Sequence, residues 1–219
     1  MITLSYLTGL IVSGRVTPGS VAVFIAIALY INSKQSFVLW MRRRQEKTVR
    51  SLTIFIVQIS VATLLLMPFL WSSLVSLMPY VLVPLAYLMC LKFLGEHSLL
   101  TEISGFVLLS LSALVAKLTT TGLIDPALFT AVAVFFTSGV FKVRVQLTKG
   151  MTQRILMVSY IGFAIAVYRL IHTPVFVLLP LIDNLVFSIT LYRVKLSVTG
   201  WLEVMKGVIF LLLMTLSYH

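Results

Sequence analysis

The chain has 219 residues, 60% of them hydrophobic and only 11% charged, with a net charge of +11 and a mean hydropathy of +1.09. A soluble domain of this size carries about a quarter charged residues, so a water-soluble globule is excluded and the bilayer is the solvent. The basic excess would suggest nucleic acid in a soluble protein, but here it stands at the ends of apolar runs, as topology and anionic lipid require, and no nucleic-acid partner is expected.

Nine apolar segments follow one another, at roughly 1–13, 18–41, 51–67, 69–91, 103–123, 126–147, 155–171, 173–192 and 201–217. The expected fold is an all-α polytopic transmembrane bundle of eight to nine helices in a single integral membrane domain. The first segment lacks the basic start of a signal peptide and is shorter than the roughly 20 residues of a span. It reads as the second half of a helix, as if the N-terminal helix were truncated. Gly14-Arg15, Pro68, Gly122 to Pro126 and His172 to Pro174 are expected to make the tight turns on one side.

The second segment runs into the chain's densest charge, with Arg42, Arg43, Arg44, Lys47 and Arg50 close together. Connections after the second, fourth, sixth and eighth segments, counted to include Lys142, Arg144, Lys149 and Lys206, hold most of the positive residues. The opposite side holds only Arg15, Lys117 and Arg169. By the positive-inside bias the N-terminus faces the cytoplasm of a prokaryotic cell and His219 lies outside. Pro79, Pro84 and Pro180 fall inside segments, where membrane helices accept a kink. Small residues at helical spacing, such as Ala22/Ala26 and Ser112 with Ala116, suit close helix packing. Cys90 is the sole cysteine and lies in an apolar run, so neither a disulfide framework nor a Cys metal site is expected.

Three stretches resemble the YwiC-like family of bacterial and archaeal membrane proteins. They are the second segment with WMRRRQEKTVRSL, the stretch HSLLTEISGFVLLSLSALVA from His97 with the later FFTSGVFKVRVQLTKG, and KLSVTGWLEVMKGVIFLLL near the C-terminus. Ser138, Gly139, Val140, Phe141, Val143 and Arg144 match the family's GSVFYVRT element. The resemblance implies the fold; the family brings no established activity. Its usual His-Gly-Ala-Trp motif before the first helix is absent here.

A more distant resemblance is to UbiA-like prenyltransferases, in helix number and in key loops after the second and sixth helices. In those enzymes Asp-rich motifs in these loops hold Mg²⁺ against a prenyl diphosphate. Here Asn32 to Arg50 contains no aspartate and Lys142 to Arg154 no carboxylate, so no such metal site can be built. The resemblance implies a UbiA-like helix arrangement without the metal chemistry, and no metal or cofactor is expected.

Two groups of polar residues invite function. Arg42, Arg43, Arg44, Lys142, Arg144 and Lys149 could form a cytoplasmic pocket for an anionic lipid headgroup, although Lys142 and Arg144, two apart on a helix, point away from one another. Asp183 and Asn184 fall near mid-bilayer, where a carboxylate is costly and marks function by default; Lys117 is a possible partner. The alternative for the basic group is topology plus anionic headgroups; for Asp183 it is a structural pair or a protonated carboxyl hydrogen-bonded to a neighbouring helix. Glu102, Glu203 and Lys206 begin helices, and Glu203 and Lys206 can pair at i,i+3. His97 is expected on the cytoplasmic side and His172 and His219 outside, so only the latter two could pair on a haem; His219 is terminal and neither sits inside a helix, so haem is not expected. The leading expectation is a non-catalytic membrane subunit or scaffold, packed with other subunits of a membrane complex and with anionic lipids. The alternatives are a divergent lipid- or isoprenoid-handling enzyme and a small-solute transporter built around Asp183.

Overall fold

The computed structural model describes residues 2–42, 48–191 and 195–218, with the side chains of residues 41, 42, 48, 72 and 196 left aside. The described residues are helical almost throughout, with no strand. In chain order they form α1 (Ile2–Val12), α2 (Pro18–Arg42), α3 (Thr48–Leu70), a broken stretch ending in α4 (Leu74–Leu77) and α5 (Leu82–Leu94), then α6 (Leu99–Thr121), α7 (Pro126–Thr148) and α8 (Met151–Leu170). A 3-10 turn at Val175–Leu181 then leads into α9 (Ile182–Thr190), and α10 (Leu196–Tyr218) follows. Among the described residues, seven stretches are long and apolar enough to cross a membrane, and two, Ile2–Val12 and Val175–Thr190, are shorter. The chain is a multi-pass integral membrane protein.

Each of the nine apolar segments becomes one helical unit, but several helices start earlier than hydropathy suggests. α6 begins at Leu99 because Ser98, in extended conformation, caps it by accepting from the Thr101 N–H. α7 begins where expected, at Pro126, because Asp125 accepts from the Leu128 N–H and proline suits the first helical position. Gly122 closes α6 and Gly14 the α1–α2 turn, both in left-handed conformation that a side chain would strain. The expected turn at Pro68 is not there: α3 continues through it to Leu70. The missing proline N–H takes the intrahelical donor from the Leu64 carbonyl, a defect that membrane helices accept, and the chain turns at Trp71–Ser73 instead.

α7 is the axis of the bundle. Leu128, Ala131, Val132, Phe135 and Phe136 are buried on it, against Ala164 and Tyr168 of α8 and Phe210 and Met214 of α10. The Phe135 and Phe210 rings stack at 3.9 Å. Two tyrosines of α8 clip it to α7 through backbone, Tyr160 donating to the Val134 carbonyl and Tyr168 to that of Ala131, both at 2.8 Å. Short α1 is enclosed, packing on α6, α7 and α10. Its approach to α6 is so close that a Cβ on Gly9 would stand 2.2 Å from the Ala113 carbonyl oxygen. Such backbone contact is how membrane helices gain dispersion energy without a hydrophobic force between them. α2 and α3 pair with each other, and α5 leans on α6.

Candidate functional site

Four charged side chains from α7, α9 and α10 meet in one cluster. Lys142 is on α7, six residues before its end at Thr148, or about 9 Å along the axis. Glu203 and Lys206 are on α10, and Lys206 lies at its midpoint, ten residues from Leu196 and twelve from Tyr218. Asp183 and Asn184 open α9 directly after the 3-10 turn that contains Pro180. The missing proline N–H and the tighter turn shift the helix phase, and the first turn of α9 presents both residues to α7 and α10.

The charges alternate around a ring. Lys142 Nζ bonds Asp183 Oδ2 and lies 3.3 Å from Glu203 Oε1; Lys206 Nζ lies 3.4 Å from the same Asp183 oxygen and pairs with the same Glu203 oxygen. Each ammonium thus touches both carboxylates. Lys206 also donates to Asn184 Oδ1. The side chains of Lys142, Lys206 and Glu203 are 1%, 8% and 12% exposed, against 32% for Asp183, so the aspartate is the ring's open corner. The Lys142 ammonium also sits 5.7 Å from the Phe187 ring centroid, in a small core with Phe141, Val145 and Met157 that keeps the cluster in a low-dielectric setting.

Among the described residues, Asn184 Nδ2 and Ser188 Oγ are buried with no hydrogen-bond partner. They are four apart on α9, hence on one face. The far end of α9 is held by Arg154 of α8, which donates to the Ser188 and Ile189 carbonyls, satisfying the last turn and opposing the helix dipole.

The sequence-derived candidates divide accordingly. Asp183 and Asn184 are in the ring, but Lys117 does not join them: it pairs with Asp125 at 2.6 Å and lies under the Tyr218 ring. The reason is position: Lys117 is in the last third of α6, beside the start of α7, whereas the ring is near α7's other end. Lys142 belongs to no connection; it is buried inside the bundle. Arg144 turns the other way, donating to Glu102 Oε2 and the His97 carbonyl, both at 2.8 Å, so Glu102 is an inter-helix partner as well as a first-turn residue. Lys149 is exposed at the C-cap of α7. Lys142, Arg144 and Lys149 therefore do not converge into one anion pocket. Arg43 and Arg44, with the side chain of Arg42, lie outside the described residues. Among the described residues no group of three or more His, Cys, Asp and Glu gathers to hold a metal ion. Sequence reasoning treated Glu203 and Lys206 as a local pair; a lysine midway along an apolar helix was the available signal for more.

Residues 1–117 match the family model described as YwiC-like protein. The chain belongs to the YwiC-like family. The match covers α1 to most of α6, so the ring lies wholly in the part of this YwiC-like protein that the family model does not reach. Searches of curated proteins and of solved structures find no match to it.

Proposed function

We propose that this YwiC-like protein is a membrane carrier of small solutes with the ring of Lys142, Asp183, Lys206 and Glu203 as its binding centre. One observation carries the reading: four alternating charges from three helices meet midway along α10, beside a proline-broken helix. Ionisable groups at such depth are costly and mark solute or proton paths. Interrupted helices that expose polar groups near the bilayer midplane are how many transporters build sites. A purely structural clasp needs one ion pair; this one holds four charges and leaves two buried polar atoms of α9 unpartnered among the described residues.

The reading requires water to reach Asp183. Infrared spectra of the full chain in lipid, recorded against pH in H₂O and D₂O with Asp183→Asn for assignment, should show a carboxyl band that titrates and exchanges promptly. A non-exchanging, non-titrating Asp183 would remove the basis for a carrier. The positive connections favour an N-terminus in the cytoplasm and a C-terminus outside a prokaryotic plasma membrane, with Lys142 and Lys206 withdrawn from the count because they are internal.

A second reading, a subunit of a larger membrane complex, is favoured by the broken stretch before α5. There α4 and the adjoining 3-10 turn bury no residue, and Trp71, Val75 and Met78 are exposed. Irregular backbone at membrane depth is usually covered by protein. Purification in mild detergent, with mass spectrometry of co-purifying proteins and lipids, tests it: stoichiometric partners support it and a solitary chain counts against it. A divergent isoprenoid enzyme loses its support from the loop after the sixth segment, since Lys142, Arg144 and Lys149 point to separate places.

A further inference from the structure

The ring is dry on one side and polar on the other. Each element that brings a charge to it also brings buried apolar side chains within roughly two turns, further from the Lys149 end of the bundle. On α10, Phe210 and Met214 follow Lys206 by four and eight residues, on one face of the helix. On α7, Phe135 and Phe136 precede Lys142, and Leu178 and Leu181 precede Asp183. All six belong to one buried core. The Phe135 and Phe210 rings stack with centroids 3.9 Å apart, and Phe136 stands nearly edge-on to them at 5.3 and 5.8 Å. Phe136 also closes on the α10 backbone beside Lys206: a Cβ on Gly207 would stand 3.3 Å from its Cε1. Rings packed this way leave no space for water, and apolar walls hold none.

The Lys149 side differs. Asn184 Nδ2 and Ser188 Oγ are buried there with no hydrogen-bond partner among the described residues. Ser188 is the nearer to that end, since its carbonyl accepts from Arg154 in the first turn of α8. Buried polar groups left unpaired are costly, and water is what ordinarily satisfies them. Asn184 and Ser188 are one turn apart, a rise of about 6 Å, which one water with two hydrogen bonds of about 2.9 Å spans. An amide N–H₂ donates and a hydroxyl does either, so such a water is held at both ends. One face of α9 thus forms a line of polar sites from Ser188 to Asn184, whose Oδ1 accepts from Lys206 in the ring.

We infer that the ring takes up water and solute from the Lys149 end along this face of α9, and that Phe135, Phe136 and Phe210 are the gate that closes it from the opposite end. This deepens the carrier reading and rests on it. A carrier exposes its site to one side at a time, and this conformation is the one that faces the Lys149 end. Passage to the other side requires the Phe135–Phe210 stack to part.

The test uses the full chain with Cys90→Ser, so that each introduced cysteine is the sole one, in sealed membrane vesicles of both orientations. Silver ion, an impermeant thiol reagent small enough for a path one water wide, is the probe. Lys149→Cys and Leu123→Cys, both at exposed positions in the turns at opposite ends of α7, mark the two sides. Ser188→Cys and Asn184→Cys, each checked for folding by its thermal transition, should react from the side where Lys149→Cys does. Reaction from the other side should be about tenfold slower or more, as an opposite-facing state of about 10% or less implies. Phe210→Ala should bring the two rates together; Phe210→Leu, which keeps more of the core filled, serves if the alanine variant does not fold. Equal reaction from both sides with the phenylalanines intact, or faster reaction from the Leu123 side, overturns the inference and leaves the carrier reading standing. A one-sided pattern that survives a folded Phe210 variant also overturns it. Absence of reaction from either side with an exchanging Asp183 does the same; absence of reaction with a dry Asp183 ends both.

Discussion

Replacing Lys206 by methionine removes one ammonium from the ring and leaves Lys142 as the one described lysine at Asp183 and Glu203. Breaking a buried ion pair from one side costs about 3–5 kcal/mol, mostly because the remaining charge is unbalanced. Lys206→Met also strips Asn184 Oδ1 of its donor, which adds about 1–3 kcal/mol. Glu203→Gln takes away the carboxylate that both lysines touch and leaves an excess positive charge, again at about 3–5 kcal/mol. The double variant is different. It keeps Lys142 paired with Asp183, returns the net charge to that of the unmutated ring, and should lose only about 2–4 kcal/mol, chiefly the orphaned amide and the lost packing. If the ring is a balanced unit, the double variant is more stable than either single one, a coupling of several kcal/mol. Thermal unfolding of the four proteins in one detergent reads this as an order of transition temperatures. A double variant that melts below both singles, at the sum of their losses, refutes the balanced-ring account.

Gly9→Ala should destabilise by about 1–3 kcal/mol or more, since its Cβ would meet Ala113 backbone atoms at 2.2–2.8 Å. Gly207→Ala should be milder, because the first atom it meets is the mobile end of the Leu4 side chain at 2.6 Å; comparing the two melting curves checks it. Asp125 lies outside the spans. Burial pushes its carboxyl up, but the hydrogen bond and charge of Lys117, the Leu128 N–H and the Tyr218 hydroxyl outweigh this and hold it below the ordinary aspartate range. The folded value is the lower one, so its contribution is complete above the unfolded value of about 3.9 and fades as pH falls through the depressed folded value. Asp125→Asn should flatten that acid part of the stability–pH curve, and an unchanged slope would contradict it. Arg144→Ala should cost little, because the ion pair's side chains are 23% and 34% exposed: about 0–1 kcal/mol for the pair, with a difference that shrinks in high salt.

The fold was largely legible because its signal is local. An apolar run long enough to cross the bilayer must satisfy its own backbone, so each run becomes a helix whatever its neighbours are. The breaks at Gly14, Gly122 and Asp125-Pro126 follow from residues that set their own backbone angles or cap a helix. Helix starts were misplaced where hydropathy was followed past a cap: Ser98 begins α6 four residues before the apolar stretch at 103. Pro68 misled in the opposite sense, since a membrane helix can run on past a proline that removes one intrahelical bond, and α3 does so to Leu70. The candidate site was half legible. Asp183 and Asn184 stood out as polar residues inside an apolar run, whereas Glu203 and Lys206 read only as a local i,i+3 pair.

What the sequence by itself determined, then, is that the chain is a multi-pass membrane protein, where its helices run, and which polar residues interrupt its apolar runs. Tertiary structure alone decided how those residues are partnered. Lys117 turned to Asp125, Lys142 left its supposed connection for Asp183, and Arg144 turned away to Glu102. The reason is physical. In a bilayer the lipid-facing and helix-facing sides are both apolar, so hydropathy carries no record of which helix meets which. A buried charge must find an opposite charge, but which one lies within reach is set by the packing of glycines, prolines and aromatic rings along the helices.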